Sequence, residues 1–242
     1  MPRFPRAILF DLDDTIISAY GRPERAWRAV LREFTYDLAP RDEPAVLAAI
    51  LAAAREFWAD PERHRVWRQT IRAARREIVE RGFARLAAEG RSVPEHGVRT
   101  RIADRFSDHR NENLALFPDA HATIDALRGH GVKLALITNG AAEPQREKIV
   151  RFALGERFDH IQIEGEHGFG KPEARAYAHA LAALGVAAKD AWIVGDNLEW
   201  EVIAPQKLGL FAIWHDPHGD GLPEGHEARP DRIIRTLSEL LE

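Results

Sequence analysis

The pattern of apolar positions changes character twice along the 242-residue chain. A short apolar run, Ala7–Phe10, ends directly in acidic residues and predicts a buried strand. From about residue 22 to residue 105 the apolar positions recur at helical spacing, and several prolines together with Gly90 divide this region into separate helices. After Leu116, short apolar runs alternate with helical segments.

The second half therefore shows the alternation of strands and helices that is typical of an α/β protein. The predicted strands cover 132–137, 161–163, 191–194 and 211–214. The predicted helices cover 119–130, 144–152, 172–184, 199–208 and, after a loop, 233–241. Strands that alternate with helices indicate a parallel sheet with right-handed crossovers. The sequence thus predicts a Rossmann-like parallel sheet core built from residues 1–17 and 113–242. An all-helical domain, 18–112, is inserted through linkers near 18–21 and 111–117.

Charge and composition narrow the function classes. Residues 22–110 hold 19 arginines, no lysine and 14 acidic residues, whereas the whole chain has a net charge of −4. We interpret these arginines as solvated residues that pair with acids. The alternative is that some of them bind an anionic part of the substrate. The absence of cysteine excludes disulfides, zinc–cysteine sites and thiol catalysis. We expect a cytoplasmic protein that binds neither nucleic acid nor membrane, and the oligomeric state stays open.

Chemically reactive residues follow the predicted strands. In an open parallel sheet, sites form beyond the carboxyl ends of the strands, so the segments found there are expected to converge. Four such segments carry side chains suited to chemistry. They are Asp11-Leu12-Asp13-Asp14-Thr15, Thr138-Asn139-Gly140, Lys171-Pro172 in the loop before a helix, and Gly195-Asp196-Asn197 with Glu199 and Glu201 beyond it.

Taken in this order, Asp-x-Asp-x-Thr, Thr-Asn-Gly, Lys-Pro and Gly-Asp with a further acid resemble the haloacid dehalogenase (HAD) superfamily. The resemblance is to its phosphatase type, which carries a helical cap after the first core strand. The match covers the whole core, while the inserted region resembles the cap only in position and helical character. The resemblance implies a Mg²⁺-dependent phosphatase that hydrolyses a small soluble phosphate monoester, a phosphorylated metabolite, through an aspartyl-phosphate.

The resemblance also implies roles for individual residues, and their chemistry suits those roles. A carboxylate that attacks an anionic phosphate needs positive charge beside it, and Mg²⁺ prefers hard oxygen ligands. The implied catalytic residues are the nucleophile Asp11, the acid–base Asp13, Thr138 and Lys171. Phosphate would be held by the Thr138 hydroxyl, the Asn139 backbone N–H and Lys171. The implied metal ligands are Asp11, the Asp13 backbone carbonyl, Asp196 and, through a water, Glu201.

The last motif departs from the family pattern. The family commonly places an aspartate where this chain has Trp200 and Glu201, and Glu199 is a rival to Glu201 for the same role. Asp14 is expected to be solvated or to cap a turn, and Thr15 either stabilises the loop or acts directly. His215, His218 and His226 are expected in a solvated loop that extends to Arg229, with a transition-metal site as the alternative.

Several alternatives are weighed against the phosphatase. Dehalogenases of the family lack an acid at the position of Asp13, so this residue favours phosphoryl over halide chemistry. Phosphonate hydrolysis in the family needs a cap lysine, and the inserted region has none. A phosphotransferase of the mutase type, with the same core residues, stays open. A 2-haloacid dehalogenase and a non-catalytic binding module are further alternatives.

Overall fold

A computed structural model describes residues 4–19, 21–38 and 43–242, so that Tyr20, within the first predicted linker, lies outside the described residues. The chain divides into two compact units. The first combines Met1–Ser18 with Ala115–Glu242, and the second is Ala19–Leu114. Within the described ranges, no helix combines the length and apolar character that crossing a membrane requires.

The second unit is helical. Its helices are α1 Pro23–Glu33, α2 Glu43–Trp58, α3 Pro61–Trp67, α4 Ile71–Ala88 and α5 His96–Glu112. Helix α4 packs against both α2 and α5. The rings of Trp27 and Phe106 stack in the core with centroids 3.5 Å apart. Exposed arginines pair with acids, as in the two-pronged Arg76–Asp104 pair at 2.8 Å, which supports the interpretation of solvated, charge-paired helix faces.

The first unit contains the sheet. Its strands are β1 Ala7–Phe10, β2 Ile17–Ser18, β3 Ala115–Leu116, β4 Lys133–Thr138, β5 His160–Ile163, β6 Ala191–Gly195, β7 Phe211–His215 and β8 Arg232–Ile234. Six of them pair in parallel in the order β5-β4-β1-β6-β7-β8. The remaining two, β2 and β3, form a separate short antiparallel pair. The predicted fold class is confirmed.

Strand β1 occupies the middle of this sheet, between β4 and β6. All four of its side chains are buried, because helices cover both faces of a parallel sheet and leave no polar face. The helices of this unit are α6 Ala120–Gly129, α7 Ala142–Arg151, α8 Glu164–His167, α9 Ala174–Leu184 and α10 Ala204–Gln206.

The structure corrects three predicted elements. Residues 233–241 do not form one helix, because Arg232–Ile234 is strand β8 and Leu237–Leu241 is a 3₁₀ helix. The predicted helix 199–208 begins as a π-helical segment, Leu198–Ile203, that leads into α10. His215 is the last residue of β7 and is buried, so it does not belong to a solvated loop.

Candidate active site

Three adjacent strands end at the candidate site. Asp11 follows β1, Thr138 is the last residue of β4, and Asp196 follows β6. The Asp11 backbone N–H donates to the Val194 carbonyl at 3.0 Å, which extends the β1–β6 pairing by one residue. Because parallel strands end at the same edge of a sheet, these residues are brought to one edge.

The Asp11 carboxylate is buried and held on both oxygens. Its Oδ1 lies 2.6 Å from the Lys171 Nζ, and its Oδ2 accepts a hydrogen bond from the Thr15 hydroxyl at 3.1 Å. Burial raises the pKa of Asp11, the Lys171 ammonium opposes this rise, and the charge of Asp13 adds to it. Thr15 therefore contacts the candidate nucleophile directly.

Lys171 is a buried cation between two carboxylates. Its side chain is 1% exposed, and its Nζ lies 2.6 Å from Asp11 Oδ1 and 2.7 Å from Glu201 Oε1. Burial alone acts to lower the pKa of Lys171, but the two carboxylates outweigh it and raise the pKa above its ordinary value. The site thus holds a fixed positive charge beside the candidate nucleophile.

The backbone of Lys171 is fixed by Asn139. The Asn139 side-chain Nδ2 donates to the Lys171 carbonyl at 2.7 Å, and the Lys171 N–H donates to Asn139 Oδ1 at 2.9 Å. The preceding residue has to be glycine, because a Cβ on Gly170 would lie 2.4 Å from Asn139 Oδ1. The Asn139 side chain thus positions Lys171. The backbone N–H of Asn139 is the group that is left for the implied contact to phosphate.

Asp13 is held by two residues of α7 that the sequence analysis did not assign to the site. The Lys148 Nζ lies 2.7 Å and 2.8 Å from the two carboxylate oxygens, and Gln145 Nε2 donates to Oδ2 at 3.0 Å. Gln145 also donates to the Thr138 hydroxyl at 2.5 Å. The signal in the sequence was a Gln and a Lys three positions apart on the helix that follows Thr-Asn-Gly, since that spacing places both on one face.

Glu201 is completely buried behind the site. Its Oε2 accepts a hydrogen bond from the Asn197 N–H at 3.0 Å, and its Oε1 is the one paired with Lys171. Burial raises the pKa of Glu201 to about 7, with the Lys171 ammonium opposing the rise and Asp11 adding to it. Its rival Glu199 is exposed. Asn197 caps the π-helical segment by accepting from two backbone N–H groups at 3.1 Å.

Asp196 completes the acidic side of the site. Burial raises the pKa of Asp196 well above its usual range, and the charges of Asp11 and Glu201 raise it further. In the part of the chain that the structure describes, no group of three or more Asp, Glu or His side chains is arranged to enclose a metal ion. A metal held here would therefore combine the two carboxylates of Asp11 and Asp196 with other oxygens.

Asp14 is not solvated, which corrects one of the two expectations for this residue, whereas a role in the turn after β1 is not contradicted. Asp14 is buried and has a φ of 60°, and its N–H donates to the Ile17 carbonyl at 2.6 Å. Its carbonyl lies 3.1 Å from Nδ1 of the buried His215. The turn after β1 is thus tied to the end of β7, which fixes the backbone that carries Asp11 and Asp13.

Apart from Asp196, which is related to the others through the charges of Asp11 and Glu201, the predicted site residues form two connected groups. Asp11, Lys171, Glu201 and Asn139 are linked through the Lys171 side chain and backbone. Asp13 and Thr138 are linked through Gln145, which also donates to the Asn139 carbonyl at 2.9 Å and so joins the two groups.

Comparison with known proteins identifies the family. The model of the haloacid dehalogenase-like hydrolases matches residues 5–209, and the chain belongs to this family. A solved structure of the Bacillus subtilis HAD-hydrolase YfnB, bound to magnesium, superimposes with a TM-score of 0.69 at 24% identity. The alignment covers 98% of this chain and 97% of that one. The predicted family and the assignment as a hydrolase are confirmed.

Curated relatives within the family are named for phosphatase reactions, in agreement with the predicted phosphatase type. The Thermus thermophilus phosphoserine phosphatase is 36% identical over 184 residues, which is 76% of this chain but only 65% of that relative. The Methanopyrus kandleri glyceraldehyde 3-phosphate phosphatase is 26% identical over 241 residues, covering 98% of this chain and 96% of that relative.

Proposed function

We propose that this chain is a Mg²⁺-dependent phosphatase that hydrolyses a small phosphate monoester through an aspartyl-phosphate on Asp11. The observation that carries the proposal is the buried Asp11–Lys171 contact at 2.6 Å, at the end of the central strand. A carboxylate nucleophile and a phosphate ester repel each other, and a buried ammonium beside the attacking oxygen offsets that repulsion.

In the first half of the reaction, an Asp11 carboxylate oxygen forms a bond to phosphorus while the bond from phosphorus to the ester oxygen breaks. Asp13 gives its proton to the departing oxygen, so that an alcohol leaves. Lys171 is charged at the start of the reaction because its two carboxylate partners hold its pKa high.

In the second half, a water attacks the phosphorus of the aspartyl-phosphate, and Asp13 takes the proton of that water. The bond between phosphorus and the Asp11 oxygen breaks, which releases inorganic phosphate and restores Asp11. Thr138 can donate its hydroxyl hydrogen to a phosphoryl oxygen, because Gln145 already donates to a lone pair of the same hydroxyl.

The donor set fits a magnesium ion. Asp11 and Asp196 offer hard carboxylate oxygens. The negative charge of Asp11 raises the pKa of Asp196, so a nearby cation would stabilise the ionised carboxylates. Together with the Asp13 backbone carbonyl they would hold Mg²⁺, which supplies positive charge to the anionic phosphoryl group when bound. Glu201 is completely buried behind Lys171 and the Asn197 N–H, so it would act on the metal only at a distance.

The names of the relatives support the proposed substrate class, a small phosphorylated metabolite. The alternative with the same core residues is a mutase, which would return the phosphoryl group to a bound product. Its signature would be a phosphorylated isomer in place of free phosphate.

The proposal is tested by phosphate release from p-nitrophenyl phosphate, with Mg²⁺ and with a chelator. We expect release that depends on Mg²⁺, is lost in Asp11→Asn and persists in Asp125→Asn, a matched change in an exposed ion pair. Activity that survives in Asp11→Asn would contradict the proposal. Chloride release from a 2-haloacid would instead support the dehalogenase alternative.

A further inference from the structure

Two residues of helix α7 face the candidate acid–base, and the reaction proposed above gives neither of them a role toward Asp13. Gln145 and Lys148 stand three positions apart, and their side chains are buried on the same side of the helix as Ile149. Most lysines of globular proteins extend into solvent, because burying an ammonium is costly unless a carboxylate pairs with it. Here Asp13 is a partner of the buried ammonium.

The contacts constrain Asp13 on both oxygens. Lys148 Nζ lies within 2.8 Å of both Oδ1 and Oδ2, and Gln145 Nε2 is 3.0 Å from Oδ2 alone. Two donors from different directions define the plane of a carboxylate, whereas one donor leaves it free to rotate. Among the residues that the structure describes, Oδ2 has two partners and Oδ1 has one, so Oδ1 is the oxygen more readily released to exchange a proton with the ester oxygen or with water.

We propose that Lys148 and Gln145 are positioning residues for Asp13: they set the orientation of its carboxylate so that Oδ1 meets the leaving oxygen. This assignment rests on the proposed phosphatase function. Gln145 also binds the Thr138 hydroxyl and the Asn139 carbonyl. The orientation of Asp13 is thereby fixed relative to the segment that would bind the phosphoryl oxygens.

A positioning role makes a prediction that a merely structural role does not. A proton donor matters most when the leaving group is a poor one, such as an alkoxide, and little when it is a stabilised anion such as p-nitrophenolate. Disturbing the orientation of Asp13 should therefore reduce kcat/KM for an alkyl phosphate much more than kcat/KM for an aryl phosphate. General damage to the fold, or loss of a phosphate contact, should reduce both by the same factor.

The experiment compares Lys148→Met and Lys148→Arg with the unmodified chain, using glycerol phosphate and p-nitrophenyl phosphate in Mg²⁺. For Lys148→Met we expect a fall of about 10²-fold in kcat/KM for the alkyl ester and less than about threefold for the aryl ester. Lys148→Arg should restore part of the alkyl activity, because it returns a cation. Lys189→Met, a change of an exposed lysine, is the matched control and should alter neither value.

Two further variants keep the test decisive. Gln145→Met removes a donor to Asp13 without removing a charge, and it should lower the alkyl-to-aryl ratio in the same direction even if Lys148→Met fails to fold. In an Asp13→Asn background, Lys148→Met should no longer change the ratio, because the two residues act through one group.

The outcomes separate this proposal from the function on which it rests. Suppose that the unmodified chain releases phosphate, but the Lys148 and Gln145 variants lower kcat/KM equally for both esters, or for neither. The positioning role is then overturned and the proposed phosphatase function stands. If the unmodified chain releases no phosphate from either ester, the proposed function fails and the positioning role fails with it.

Discussion

The ammonium of Lys171 lies 2.7 Å from the carboxylate of Glu201, and both side chains are almost completely buried. This contact couples the π-helical segment after β6 to the loop that carries Lys171. Since Lys171 also contacts Asp11, Glu201 contributes to the charge and the orientation of the cation beside the candidate nucleophile.

Glu201→Gln keeps the shape of the side chain and removes its charge. We expect activity to fall at least about tenfold and the free energy of unfolding to fall by about 2 kcal/mol, because a buried ion pair loses one partner. Phosphate release and urea denaturation measure the two effects. Glu199→Gln, two positions away and exposed, is the matched control. A stronger effect of Glu199→Gln would reverse our choice between the two acids.

Gly195 is predicted to tolerate no side chain. A Cβ at this position would lie 2.1 Å from Glu201 Cγ and 3.0 Å from Asp11 Cβ. Gly195→Ala should therefore displace the two carboxylates, with loss of activity and a fall of about 2 kcal/mol or more in the free energy of unfolding. Thermal unfolding and the phosphatase assay check both.

The control for Gly195→Ala is Gly129→Ala. Gly129 ends helix α6, and a Cβ there would meet no atom within 4 Å. This change should leave activity intact and stability equal or slightly higher, since alanine favours a helix over glycine. Equal damage by both substitutions would refute the steric account of Gly195.

Asp196→Asn should weaken metal binding more than it weakens the fold. Because Asp196 is surrounded by other carboxylates, removing its charge lowers the local negative potential that attracts a cation. The Mg²⁺ concentration for half-maximal activity should rise at least about tenfold. The free energy of unfolding, measured without Mg²⁺, should be unchanged or higher. An unchanged Mg²⁺ requirement would remove Asp196 from the proposed metal ligands.

The stability of the helical unit should depend on pH through His64. Burial, together with the charge of Arg68, lowers the pKa of His64 to about 4 from its usual 6.5. The folded chain thus favours neutral His64, and its contribution to stability is complete above pH 6.5 and is lost as the pH falls toward 4. We expect His64→Gln to show a smaller loss of unfolding free energy between pH 7 and pH 4 than the unmodified chain. Identical slopes would contradict this.

The sequence predicts the main strands well because each is a short apolar run, and three of them, β1, β4 and β6, end at the candidate site. Strand β1 matches its predicted range, and β4 to β7 differ from theirs by one or two residues. Strand β8 was assigned to a helix because only three residues pair at the edge of the sheet. A run that short carries no periodicity by which strand and helix are told apart.

The candidate site is predictable wherever a motif stands at a strand end, and less so where helices complete it. The sequence does not place Lys148 and Gln145 in the site, because a polar residue on a helix is expected to face solvent until its partner elsewhere in the fold is known. The burial of Asp14 is unpredictable for the same reason, since its carbonyl contacts His215, some 200 residues away in the chain. Sequence patterns report local structure, whereas these contacts are made by the tertiary fold.

The covalent intermediate tests the central claim most directly. The chain is mixed with ³²P-labelled substrate in Mg²⁺, quenched in acid and digested, and the labelled peptide is identified. We predict label on Asp11, its loss in Asp11→Asn, and its accumulation in Asp13→Asn with an aryl phosphate, because the water that resolves the intermediate then has no base. Turnover without labelled protein, or label on any other residue, would contradict the account.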